Sequence, residues 1–124
     1  MLKLHRERVL VVEQRDGQAM LKMALEHGGL KVHLADDAER ALTLALAHAP
    51  AVVVADIDLP GMNGLELARR LRKVYGAAIR LVALTCLDNP EDRARSAAAG
   101  FNVHLVKPVD PGQVHDTIRG LFTA

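Results

Sequence analysis

The chain has 124 residues, enough for one domain on the usual scale of ~100–200 residues, with 50% apolar and 25% charged side chains. Its 16 basic and 15 acidic residues leave a formal charge of +1, which argues against a polybasic nucleic-acid surface, and the one cysteine, Cys86, excludes a disulfide framework or Cys-rich zinc site. No apolar run approaches the ~20 residues of a membrane span, and the opening MLKLHRER is too charged for a secretory signal.

The first apolar run, Val9–Val12, leads into Glu13-Gln14. Asp16 can cap the helix that follows, where Ala19, Met20, Met23 and Ala24 share a face and Gly28-Gly29 provides a stop. The second run, Lys31–Leu34, precedes Asp36 and Glu39, spaced as a capping box for a helix over Asp37–Ala47. The third, Ala51–Ala55, runs into Asp56-Ile57-Asp58, and Asn63 and Glu66 repeat the box for a helix over Gly64–Tyr75. Arg69, Arg70, Arg72 and Lys73 read as the wet face of that helix.

The fourth run, Arg80–Leu84, ends in Thr85-Cys86, and the cysteine reads as a small buried hydrophobe. Asn89-Pro90 opens a helix over Pro90–Ala99 whose only apolar residues are alanines, so it is weakly held. The fifth run, Asn102–Val106, ends in Lys107-Pro108, and Asp110-Pro111 opens the last helix.

Nearly continuous runs such as VLVV, AVVVA and LVAL suit strands buried on both faces. Alternation of such strands with helices predicts an α/β fold. It is a single doubly wound domain with a five-stranded parallel sheet, order 2-1-3-4-5, and helices on both faces. In such sheets ligands bind at the carboxyl ends of the strands, near the switch in strand order. Glu13, Asp56, Asp58, Thr85 and Lys107 all follow strands and are expected to converge there. Clustered carboxylates need a cation, and oxygen ligands in a cleft suit Mg²⁺. A carboxylate beside a metal can attack a phosphoryl group, with an ammonium and a hydroxyl to meet its oxygens. The set therefore reads as a self-phosphorylating aspartate site. The six histidines form no HxxxH or HxH pair, which argues against zinc.

Over nearly its whole length the sequence resembles a response-regulator receiver domain of two-component signalling. The segment Asp56-Ile57-Asp58-Leu59-Pro60-Gly61-Met62-Asn63-Gly64 matches the family's D-x-x-[LM]-P-x-[LM]-[DN]-G. Thr85 stands where the family has its switch Ser/Thr, and Lys107-Pro108 matches its KP. The resemblance implies that Asp56 is the phosphoacceptor, that Lys107 contacts the phosphoryl group and that Thr85 swings toward it. It also implies Mg²⁺ as cofactor, a metal-facing backbone carbonyl on Asp58, a tight turn at Gly64 after Pro60, and a cis bond before Pro108. The expected donor is a phosphohistidine on a sensor histidine kinase or histidine phosphotransfer protein. The expected signalling face is the fourth helix, fifth strand and fifth helix, turned toward a downstream protein.

Three positions depart from the family pattern. Gln14 replaces the second acidic residue after the first strand, a direct Mg²⁺ ligand in the family, so metal affinity should fall. His104 stands where Tyr or Phe is frequent and brings a pH dependence to any rotation of that side chain. Cys86 replaces a small residue after Thr85. The Asp58 carboxylate, two residues from Asp56, is placed to affect hydrolysis of a phosphoryl group.

The function expected from the sequence is phosphorelay signalling by a stand-alone receiver over residues 1–124, without an output domain. It would be cytoplasmic, would bind neither DNA nor membrane, and would be a switch rather than an enzyme with a separate substrate. Gln14 keeps open a degenerate receiver that binds proteins regardless of phosphorylation. A more distant alternative is a DxD-type phosphatase built on Asp56 and Asp58, although Pro60 breaks the DxDx[TV] pattern.

Overall fold

Strands buried on both faces need two separate apolar layers, and the computed structural model has both. It describes residues 3–122, the side chain of residue 16 excepted. The strands are β1 (His5–Val12), β2 (Lys31–Ala35), β3 (Pro50–Asp56), β4 (Arg80–Thr85) and β5 (Val103–Val106). The helices are α1 (Arg15–His27), α2 (Ala38–His48), α3 (Gly64–Tyr75), α4 (Pro90–Ala99) and α5 (Pro111–Phe122), with one 3₁₀ turn over Gly76–Ala78. All five strands are parallel in the order β2-β1-β3-β4-β5, as the alternation of elements predicts.

Alternate residues of each strand feed opposite layers. Leu10, Val12, Val53 and Leu81 pack with Leu67 and Leu71 of α3 and the alanines of α2. Val9, Val11, Val52, Val54 and Leu84 pack with Leu21 and Leu25 of α1 and Val114 and Ile118 of α5. A slip of one residue in any strand would exchange the layers, so the side-chain period fixes the register. All seven residues of β3 are buried, which sets Asp56 at the end of a rigid element.

Several boundaries differ from the sequence expectation. β1 starts at His5 rather than Val9, because the His5 amide donates to the Ala49 carbonyl (2.8 Å) and Arg8 to the His48 carbonyl (2.7 Å). α1 starts at Arg15, so Asp16 lies inside the helix rather than at its cap, and its side chain is outside the described residues. The N-cap is Gln14, which makes no side-chain capping bond. The α2 cap is Asp37, not Asp36: β2 runs to Ala35, and the extended Asp37 accepts from the Arg40 amide at 2.7 Å. Asn63 and Asn89 cap α3 and α4 as expected, accepting from the Glu66 amide (3.0 Å) and the Asp92 amide (2.8 Å). β5 begins at Val103, since the Asn102 side chain accepts from the Leu81 amide at 2.7 Å.

Arg72 does not join the wet face of α3. Its guanidinium turns under the end of the helix and donates to the carbonyls of Gly100 (2.9 Å), Gly76 (2.7 Å) and Ile79, and to Asn102 Oδ1 (2.7 Å). The rigid fork of an arginine suits several fixed acceptors at once. It ties the ends of α3 and α4 to the start of β5.

Candidate functional site

Three strand ends build the site. Glu13 follows β1, its amide donating to the Ala35 carbonyl at 3.1 Å. Its own carbonyl accepts from Gln18 Nε2 at 2.7 Å, and the same amide group reaches the Ala35 carbonyl at 3.3 Å. Asp56 ends β3, and Lys107 follows β5, its amide donating to the Thr85 carbonyl at 2.7 Å. The Lys107 ammonium lies 2.9 Å from Asp56 Oδ2 and 2.9 Å from Glu13 Oε2. The other oxygens are met by main chain: Asp56 Oδ1 accepts from the Asp58 amide (3.0 Å) and Glu13 Oε1 from the Gln14 amide (2.9 Å).

The electrostatics separate the two carboxyls, which are both nearly buried (Glu13 6% and Asp56 5% exposed). Burial, reinforced by the neighbouring Asp56, pushes the Glu13 carboxyl up against the pull of Lys107 and the Gln14 amide. Burial acts the same way on Asp56. There the Lys107 hydrogen bond and charge, the Asp58 amide and Glu13 together outweigh it and hold the carboxyl below its usual range. Burial depresses Lys107, but hydrogen bonds to both carboxylates raise it overall, so the ammonium stays charged. The Glu13 carboxyl is thus raised and the Asp56 carboxyl lowered by the same cluster of groups.

These groups open into a cleft of about 630 Å³ walled by Met20 and Leu21 of α1 and by Pro108 and Val109, with Gln14 and Asp58 at its edge. The Gln14 and Asp58 side chains are exposed. Thr85 does not enter this cleft. Its hydroxyl is buried and accepts from the Leu87 amide at 3.1 Å, and the residue lines a separate cavity of about 210 Å³ with Asp58, Asn63, Asp92 and Arg95. The expected convergence therefore holds for Glu13, Asp56, Asp58 and Lys107 and fails for Thr85 in this conformation. Cys86 is exposed and lines the main cleft, so it is not the buried hydrophobe its sequence context suggests. His104 contacts the same loop as Thr85: its Nε2 is 3.0 Å from the Leu87 carbonyl, while Nδ1 is buried without a partner among the described residues.

Backbone geometry supports the cluster. The Lys107–Pro108 bond is cis. The positive φ in the loop after β3 belongs to Gly61 (74°), following Pro60. Gly64 serves close approach instead: a Cβ there would collide with the Asp56 carbonyl oxygen and lie 2.7 Å from Ile57 Cα. Two residues with no assigned role in the sequence reading matter as well. A Cβ on Gly17 would fall 2.8 Å from Glu13 Cγ, so this glycine gives the glutamate its room. Gln18 holds the turn that aims it. A glycine in the first turn of a helical pattern was the available signal.

Among the described residues no group of three or more His, Cys, Asp and Glu side chains could hold a metal ion. What the cleft offers is an all-oxygen pair, Glu13 and Asp56, and Mg²⁺ takes one or two carboxylates with water and phosphate oxygens completing the shell. The donor chemistry fits, but with one carboxylate fewer than an acidic residue at position 14 would provide.

The response regulator receiver domain family matches residues 9–119. The chain belongs to that family. It is 38% identical over 105 residues to an uncharacterized 14.6 kDa protein of Leptolyngbya boryana, covering 83% of this chain and 80% of that one. It is also 38% identical over 109 residues to the virulence sensor protein BvgS of Bordetella bronchiseptica, covering 82% of this chain but 9% of BvgS. Among solved structures, the chemotaxis response regulator CheY4 of Vibrio cholerae superposes with a TM-score of 0.85 at 27% identity, over 93% of this chain and 98% of CheY4. This receiver domain thus has the family's fold and a place in two-component signalling. No helix of the described residues is long and apolar enough to cross a membrane.

Proposed function

We propose that this receiver domain accepts a phosphoryl group on Asp56 from a phosphohistidine of a sensor histidine kinase or histidine phosphotransfer protein. The observation that carries the reading is the Lys107 bridge: its ammonium lies 2.9 Å from both Asp56 and Glu13, and Asp56 opens into the cleft. In the transfer, an Asp56 oxygen forms a bond to phosphorus as the P–N bond to the donor imidazole breaks. The imidazole keeps the electron pair and takes up a proton. Lys107 loses one carboxylate charge and gains phosphoryl oxygens, so its ammonium stays paired throughout. Receiver domains generally use Mg²⁺, and here Glu13, Asp56 and the Asp58 carbonyl would hold it. When bound, it offsets the negative charge of the phosphoryl oxygens.

Thr85 can reach such a group only by releasing the Leu87 amide. That links the chemistry to the loop before α4, and through His104 to β5. A change there alters the α4–β5–α5 face, where a downstream protein binds. The domain acts in the cytoplasm as a switch that promotes only its own phosphorylation and dephosphorylation. The relationship to BvgS, a sensor protein, favours a kinase-linked donor.

A second reading rests on Gln14, neutral and exposed at the cleft edge. If two carboxylates bind Mg²⁺ too weakly, the domain is a protein-binding module independent of phosphorylation. Incubation with Mg²⁺ and acetyl phosphate, followed by intact-mass measurement, separates the two. The expected result is a gain of one phosphoryl group that Asp56→Asn abolishes. No gain under conditions that label Vibrio cholerae CheY4 would overturn the switch and leave the module.

A further inference from the structure

α2 and α3 lie side by side over one layer of the sheet, and a groove of about 560 Å³ runs between them. Its apolar lining is Leu42 of α2 and Val74 of α3. Leu46, one helical turn beyond Leu42 on the same face, is 74% exposed, and Val74 is 55% exposed. Isolated surface leucines are ordinary, but Leu42 and Val74 line one groove and Leu46 continues the row one turn beyond it.

The charges along the groove are mostly basic. Arg69, Arg70 and Lys73 line it against one carboxylate, Glu66. Glu66 already meets both Arg69 (3.5 Å) and Arg70 (3.2 Å), and Lys73 has no ion pair among the described residues. An apolar row with an under-neutralised basic rim complements a helix that carries leucine-type side chains on one face and carboxylates beside them.

We propose that the α2–α3 groove docks an acidic amphipathic helix of a partner protein. Its apolar side chains would seat on Leu42, Leu46 and Val74, and its carboxylates would pair with Lys73 and the flanking arginines. A second copy of this chain fits poorly. A two-fold pairing of the groove would set cations against cations, and α1, which exposes Met20 and Met23, has no acidic surplus, since Arg15 and Lys22 balance Asp16 and Glu26 in its sequence. The groove is on the opposite face of the sheet from the α1 and α5 layer that walls the Asp56 cleft.

The test uses the unmodified chain, so its outcome does not depend on whether Asp56 accepts a phosphoryl group. The probe is a fluorescent helical peptide of about 18 residues, five turns, with leucines at i, i+3, i+4 and i+7 and glutamates elsewhere. Saturable binding by anisotropy is expected, with amide shifts in ¹⁵N spectra confined to α2 and α3. Lys73→Glu and Leu46→Ser, both at exposed positions, should each weaken binding roughly tenfold, or 1.4 kcal/mol, at unchanged melting temperature. The same peptide with lysines for glutamates should not bind. The proposal is overturned by absence of binding, by shifts centred elsewhere, by unchanged affinity in both variants, or by equal affinity for polyglutamate lacking leucines. The last outcome would mean a polyanion surface rather than a helix groove.

Discussion

Two regions meet at the carboxyl edge of the sheet and are built on opposite terms. Glu13, Asp56 and Lys107 hold one another, and main-chain amides take up the remaining carboxylate oxygens. The stretch from Thr85 through α4 is held by far less. Leu87 is tied at its amide by the Thr85 hydroxyl oxygen and at its carbonyl by His104 Nε2. Beyond it, α4 buries only Ser96 and Ala99, and both Ser96 Oγ and His104 Nδ1 are buried without partners among the described residues. The charged site is held by mutual contacts, and the element beside it is loosely anchored, the kind of element that opens most readily.

The contrast can be broken most severely at Lys107. Lys107→Ala leaves two buried carboxyls without their cation, and should cost about 3 kcal/mol at neutral pH in urea unfolding followed by circular dichroism. Without the lysine, burial and mutual repulsion raise both carboxyl pKa values. The folded state then binds more protons than the unfolded chain, and the deficit should shrink as pH falls through the carboxyl range. Wild type differs, because Asp56 is lowered there: its contribution is present above the ordinary carboxylate range and is lost as pH falls through its own lower value.

Gln14→Asp sharpens the rigid side alone. One more negative charge at the cleft edge should raise Mg²⁺ affinity roughly tenfold, read from chemical-shift titration, with the α4 amides unmoved by the mutation itself. Ser96→Ala works on the loose side. It removes an unpaired buried hydroxyl and improves helix propensity, so stability should rise by about 1 kcal/mol and amide exchange in α4 should slow. Thr85→Val should have the smallest effect. Loss of one acceptor worth about 1 kcal/mol or less should speed exchange of the Leu87 amide up to about fivefold and leave the Glu13–Lys107–Asp56 cluster intact.

The two regions also differed in how readily the sequence disclosed them. β3 and β4 were legible because strands covered on both sides are continuous apolar runs, and Glu13, Asp56 and Lys107 because they directly follow such runs. What the pattern could not convey was direction. Thr85 ends its strand as expected, but its hydroxyl faces the Leu87 amide rather than the cleft, and that depends on loop backbone. Cys86 looked buried by residue type and is exposed because the chain turns out of β4 there. Asp36 and Asp37 are adjacent possible caps, and only the end of β2 at Ala35 decides between them. Arg72 stood among solvated neighbours, yet acceptors up to 30 positions away draw it inward.

Arg72 also bears on how this chain can vary. Most of its partners are main-chain carbonyls, at Gly76, Ile79 and Gly100. A grip on the backbone is indifferent to which side chains those positions carry, except where they intrude. Gly100 is such a place, because a Cβ there would fall 2.6 Å from Arg72 Cγ. A randomised library across this corner should therefore retain folded members with many residues at 77 and 78. It should recover arginine at 72, where a lysine has too few donors to serve all four acceptors, and little besides glycine at 100. Arg72, the Asn102 side chain and the glycines at 76 and 100 hold the corner's shape, and the exposed positions 77 and 78 are free to drift.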